Sequence, residues 1–66
     1  MEKEKHILKK HGIRVSHQRM MILDYLVNNR NHPTADDIYK ALKYKDPVLS
    51  QATIYNTLNL FVKNNI

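Results

Sequence analysis

The 66-residue chain has no cysteine. That absence excludes a disulfide framework, a thiolate zinc finger and a cysteine nucleophile. It fits a reducing compartment. With one glycine and two prolines, the chain carries few strand-and-turn signals. No apolar run approaches the ~20 residues that a membrane span needs. The charged start, Met1 to His6, is not followed by the apolar core of a signal peptide. The expectation is a cytoplasmic protein with no membrane partner. Enzyme signatures are missing too: there is no nucleophile–base pair, Gly-rich phosphate loop or paired-carboxylate site. Asp36 and Asp37 are adjacent at an expected helix start, where they suit the helix dipole. The chain is therefore read as no enzyme. Negative charge is also scarce, with 6 Asp+Glu against 11 Lys+Arg and a net charge of +5. A small basic domain points to an anionic partner, nucleic acid first. A merely soluble basic surface is the alternative.

What is present is helical in period, and the length allows one domain, residues 1–66. The first helix is expected from about Glu2 to His11, with Ile7 and Leu8 as a thin apolar stripe and Gly12 as its left-handed stop. Lys3, Lys5, Lys9 and Lys10 make it basic, either as a solvated face or as a phosphate contact. Ser16 is the N-cap of a second helix, about His17 to Asn28. Its wide apolar face of Met21, Ile22, Tyr25 and Leu26, with Leu23 and Val27 beside them, suits a central position. Thr34 caps a third helix carrying Ala35, Ile38, Tyr39 and Leu42 on one face and ending near Lys43. Pro47 lies in the connection that follows, since a helix interior would not tolerate it. Ser50 caps the last helix, which reaches about Asn64, with Ile54, Leu58, Phe61 and Val62 as its buried stripe. The expected fold is all-α, four helices with no secure strand.

Two short amphipathic helices joined by a tight connection have the layout of a helix-turn-helix. At roughly 100° per residue, Thr53, Tyr55, Asn56, Asn59 and Lys63 lie away from the apolar stripe of the last helix. That face is nearly uncharged but rich in groups that reach base edges. Asn can bond adenine N6 and N7 together, and a Thr methyl packs on a thymine methyl. Arg14 and Arg19 flank the start of the second helix, placed for phosphate or minor-groove contact. A solvated or protein-binding face remains the alternative, and Leu60, apolar on the outer side, favours some covering surface.

The segments Gly12-Ile13-Arg14-Val15-Ser16-His17-Gln18-Arg19, Ile22-Leu23, His32-Pro33-Thr34-Ala35-Asp36-Asp37-Ile38-Tyr39 and Ser50-Gln51-Ala52-Thr53-Ile54-Tyr55-Asn56-Thr57-Leu58 resemble the ferric uptake regulator family. Their order and spacing match from about residue 11 to residue 66. The nearest likeness is to its peroxide-responsive repressors. The resemblance implies a winged helix-turn-helix domain of a metal-dependent bacterial repressor, in peroxide-stress or metal-uptake control. It implies double-stranded DNA as partner, read as AT-rich palindromic operators by a homodimer. Carried over by position, Tyr55 and Asn56 would face bases in the major groove and Arg14 would enter the minor groove. Arg19, Ser50, Gln51, Thr53, Asn59 and Lys63 complete the candidate DNA-facing set. Where iron-uptake members often have Arg after the motif Tyr, Asn56 suggests adenine in place of guanine.

The sequence departs from the family at its end. Asn65 stands where a Gly is usual, and Asn tolerates the left-handed conformation. The β-wing and the dimerisation and metal domain do not follow, so a longer parent protein is expected. Among the histidines, His6, His11 and His17 lack the i,i+4 spacing of a helical metal site and are read as exposed polar residues. His32 resembles the family's one metal ligand in this domain. It would join a site for Fe(II), Mn(II) or Zn(II) only in the full-length parent; no cofactor is expected in these residues alone. The competing reading is a small helical protein-interaction module.

Overall fold

A computed structural model describes residues 2–66. Four helices succeed one another: α1 (Glu2–Lys10), α2 (His17–Asn28), α3 (Ala35–Leu42) and α4 (Gln51–Lys63). Among the described residues there is no strand. The helices begin where their caps dictate. Ser16 accepts from the backbone N–H of Arg19, Thr34 from that of Asp37, and Ser50 from that of Thr53. Each bond satisfies one of the donors that a first helical turn leaves over. At α3 the exchange is reciprocal, because the Asp37 carboxylate accepts from the Thr34 N–H at 2.9 Å. This capping box fixes the start of α3.

The first and last helices stop in the same way. Gly12 takes φ 72°, and the N–H groups of Gly12 and Ile13 reach back to Lys9 and Leu8 carbonyls at 3.1 and 2.8 Å. Asn65 takes φ 65°, and the N–H groups of Asn65 and Ile66 reach Val62 and Phe61 carbonyls at 3.2 and 2.9 Å. Both are Schellman closures. Asn65 thus performs the stop that the sequence assigned to it in place of Gly.

Every helix contributes to one core. Leu8, Ile22, Ile38, Leu49 and Ile54 are fully enclosed, and Met21, Leu23, Leu42 and Phe61 join them. Burying each such side chain stabilises by about 1.5–3 kcal/mol. α2 packs against α1, α3 and α4, so it is the central helix expected from its wide apolar face. Ile13, just past the Gly12 stop, is buried too, so the link that leads to Arg14 starts from a fixed point.

The buried face of α4 is rotated from the expected one. Ile54 and Phe61 are inside and Leu58 is half-buried, but Val62 is 77% exposed. Thr57 is buried in its place, and Leu60 is half-buried against the core. The Thr53–Thr57 flank of α4 faces the link between α1 and α2 across a groove, and the Val62 flank faces solvent. Leu60 therefore does not ask for a covering partner. No helix among the described residues is long and apolar enough to cross a membrane.

Candidate nucleic-acid interface

The flank of α4 that faces this link is also where the candidate residues meet. Arg14 lies in the link before α2 and Arg19 in the first turn of that helix. The Arg19 guanidinium donates through Nη1 to the Arg14 carbonyl at 2.8 Å, while its backbone N–H bonds the Ser16 hydroxyl. One residue thereby clamps the link from both sides. The Arg14 side chain is left exposed.

Between this link and α4 runs a groove of about 470 Å³. Arg14, Ser16, Gln18 and Arg19 line one side; Thr53, Asn56 and Thr57 of α4 line the other. No Asp or Glu lines it. Two arginines without an opposing carboxylate keep their attraction for an anion, and a concave wall focuses it. The only ion pair among the described residues is remote, Lys40 to Asp36 at 3.1 Å within α3.

Of the candidate DNA-facing residues, the structure gathers Arg14, Arg19, Thr53 and Asn56 at this groove. Tyr55, Asn59 and Lys63 are exposed further round α4, and Gln51 is exposed at its start. Ser50 and Thr53 are partly spent on each other: their hydroxyls lie 2.9 Å apart, and the Ser50 oxygen also caps the helix. The side chains of Asn56, Asn59, Tyr55 and Lys63 make no hydrogen bond among the described residues, so their polar groups face solvent uncommitted.

Sequence reasoning missed Thr57, Ser16 and Gln18 as groove residues. Thr57 follows Thr53 by one turn, which was a usable signal, but a polar residue at the core margin has no distinguishing pattern. Gln18 also has a structural task. Its Nε2 donates to the Asp46 carboxylate at 3.2 Å, and that carboxylate accepts from the Val48 N–H at 3.1 Å. The start of α2 is thus tied to the turn that launches α4.

The histidines separate. His6 and His17 are exposed, as read from the sequence. His11 is not: it is half-buried, with Nδ1 2.9 Å from the carbonyl oxygen of Asn64. No local pattern announces this pairing, since the two residues are 53 positions apart. His32 is exposed and takes φ 57° on the rim of a second groove of about 380 Å³, which Leu23, Leu26, Val27 and Ile66 line together with Asn29 and Arg30. Among the described residues no three His, Cys, Asp or Glu side chains come together to hold a metal ion. His32 alone does not make a metal site. At α3, the Thr34 backbone N–H and then its hydroxyl hold the Asp37 carboxyl below its ordinary value.

Comparison with known proteins places these features in a family. A family model described as the ferric uptake regulator family matches residues 10–66. The chain is 54% identical over 59 residues to the peroxide operon regulator of Bacillus subtilis, covering 89% of this chain and 41% of that protein. It is 52% identical over 54 residues to the peroxide-responsive repressor PerR of Staphylococcus epidermidis, covering 82% and 36%. A solved structure of PerR from Streptococcus pyogenes, on peroxide sensing and gene regulation, superposes with a TM-score of 0.78 at 37% identity, covering 86% of this chain and 39% of that one. The chain thus spans about two fifths of the length of these relatives.

Proposed function

The chain belongs to the ferric uptake regulator family, and from that premise we propose that it reads double-stranded DNA as part of a metal-dependent transcriptional repressor. The observation that carries this is the acid-free groove in which Arg14 and Arg19 face Thr53 and Asn56. In this reading α4 lies in the major groove. Asn56 bonds an adenine edge, Tyr55 makes an apolar base contact, and the exposed Arg14 reaches the neighbouring minor groove. Gln51, Asn59, Lys63 and the hydroxyl pair of Ser50 and Thr53 contact the backbone or base edges beside them.

The finer parts rest on the family. The operators are AT-rich and palindromic, and the parent binds them as a cytoplasmic homodimer. The signal is peroxide stress or metal supply, as the relatives' names suggest. His32 gives one ligand to a regulatory site for Fe(II), Mn(II) or Zn(II), completed by residues outside these 66. The relatives are regulators, and the reading is of a regulator and not of an enzyme. A protein-binding module is less well supported, because Leu60 packs against the core.

The test is a salt titration of the 66-residue chain on an AT-rich duplex. Log K is expected to fall linearly with log salt, by about 0.9 for each phosphate neutralised. Binding that ignores salt, or no binding at low salt, overturns the reading.

A further inference from the structure

We infer that His11 is a positioning residue for DNA reading: it fastens the end of α1 to the end of α4 and so sets where Arg14 stands along the recognition helix. This deepens the proposed function and rests on it. Three observations carry it. The first is the 2.9 Å contact between His11 Nδ1 and the Asn64 carbonyl. A carbonyl only accepts, so the ring must carry its proton on Nδ1 and donate. Either the Nδ1–H neutral tautomer or the cation does so, and the latch holds in both states.

The second observation is where the latch sits. His11 immediately precedes the left-handed Gly12, and Asn64 immediately precedes the left-handed Asn65. Both are the capping residues of Schellman closures. The last carbonyls of a helix have no partner within it. The His11 imidazole supplies one from a different helix, and so joins the two helix ends to each other.

The third observation is the path of the chain after His11. It leaves the C-terminal end of α4 at Asn64 and, three residues on, Arg14 lines the groove beside Asn56 and Thr57. The link therefore runs back along α4. Its far end is held by the Arg19 clamp and by the Gln18–Asp46 bond. His11 is the near anchor. Buried Ile13 is the pivot between them: releasing His11 lets the end of α1 tilt about it, which shifts Arg14 relative to Asn56 while the core beneath stays packed.

The experiment uses the 66-residue chain, with His11→Ala and His11→Gln, the latter keeping a side-chain N–H donor. Long-range ¹H–¹⁵N spectra are expected to show Nδ1 protonated and coupled to the Asn64 carbonyl. An Nε2–H tautomer overturns the latch. In His11→Ala, amide protection of Gly12, Ile13, Asn65 and Ile66, whose N–H groups close the two helix ends, is expected to fall while Ile22 and Ile54 keep theirs, and His11→Gln is expected to restore part of it. Unchanged protection, or an equal loss everywhere, overturns the positioning role.

The DNA arm compares a duplex selected from a randomised library with a scrambled duplex of the same composition. His11→Ala is expected to narrow the preference between them by about threefold to tenfold, with the salt dependence unchanged. A preference kept at the wild-type level overturns the inference. If the wild-type chain prefers no selected duplex, the proposed function fails, and the spectra and protection still decide the latch itself.

Discussion

Two grooves open along α2, one at its first turn and one at its last turns. The first is lined by Arg14, Arg19, Gln18 and Asn56, and the second by Leu23, Leu26, Val27, Arg30 and the exposed His32. They are similar in size, about 470 and 380 Å³. Their linings differ: the first is mostly polar and the second mostly apolar. The first carries cationic and amide donors without a carboxylate, held in place by hydrogen bonds within the chain. A phosphate backbone attracts such a surface. The second is mostly aliphatic, with Asn29, Arg30 and His32 at its edge, so it offers a polyanion one arginine where the first offers two. On the proposed reading the difference separates two tasks on one helix: contact with DNA at the start of α2, and a place for His32 at its end.

The largest perturbation removes both grooves together. Ile54 is fully buried beneath α4. Ile54→Ala is expected to cost about 2–5 kcal/mol, a large share of the stability of so small a domain, seen as an early midpoint in chemical denaturation. A variant with an unshifted midpoint would mean that the core does not hold α4 in place.

Next in size is a change confined to the polar groove. Asn56→Ala is expected to cost roughly 1–3 kcal/mol of affinity at one base position and to leave the denaturation midpoint nearly unmoved. Duplexes differing at single positions give the readout. Equal losses on every sequence would show that Asn56 does not read a base.

His32→Gly probes the other groove. His32 holds φ 57°, which a side chain with a Cβ adopts at a cost and glycine does not. The substitution is expected to raise stability by roughly 0.5–1 kcal/mol and to leave the salt slope of DNA binding as it was. A changed slope would erase the distinction between the grooves.

The smallest effect concerns Asp37, which belongs to neither groove. Its carboxyl sits below its ordinary value because the Thr34 N–H and hydroxyl bond the charged form. Its contribution is therefore present above the unfolded value and is lost as pH falls through the depressed one. Asp37→Asn is expected to flatten the acid limb of a stability–pH profile slightly. An acid limb identical to wild type would show that the capping box holds without the charge.

These features differ in how far the sequence revealed them. Ser16, Thr34 and Ser50 announced the helix starts because capping is a contact over three residues. Gly12 and Asn65 announced the stops for the same reason. The rotation of α4 was not legible, because a periodic stripe does not say which of its flanks the rest of the fold will face; Thr57 is buried where Val62 was expected. Arg14 and Asn56 were each legible as exposed polar residues and DNA-facing candidates, from periodicity, from position and from family likeness. Their meeting in one groove was not, nor were the contributions of Gln18 and Thr57. His11 was legible least of all, since its partner lies at the far end of the chain.

That long reach has a kinetic consequence. The His11–Asn64 bond closes a loop of 53 positions, and the entropy of closing a loop rises with its length. The helix caps form within a turn, and α3 can find α4 across a short connection. The bond between the chain's two ends has to wait for them. Its energy is then absent from the folding nucleus and belongs to the barrier against opening. In a chevron plot it moves the unfolding arm and leaves the refolding arm in place, so this contact governs how long the reading surface stays assembled more than how quickly it forms.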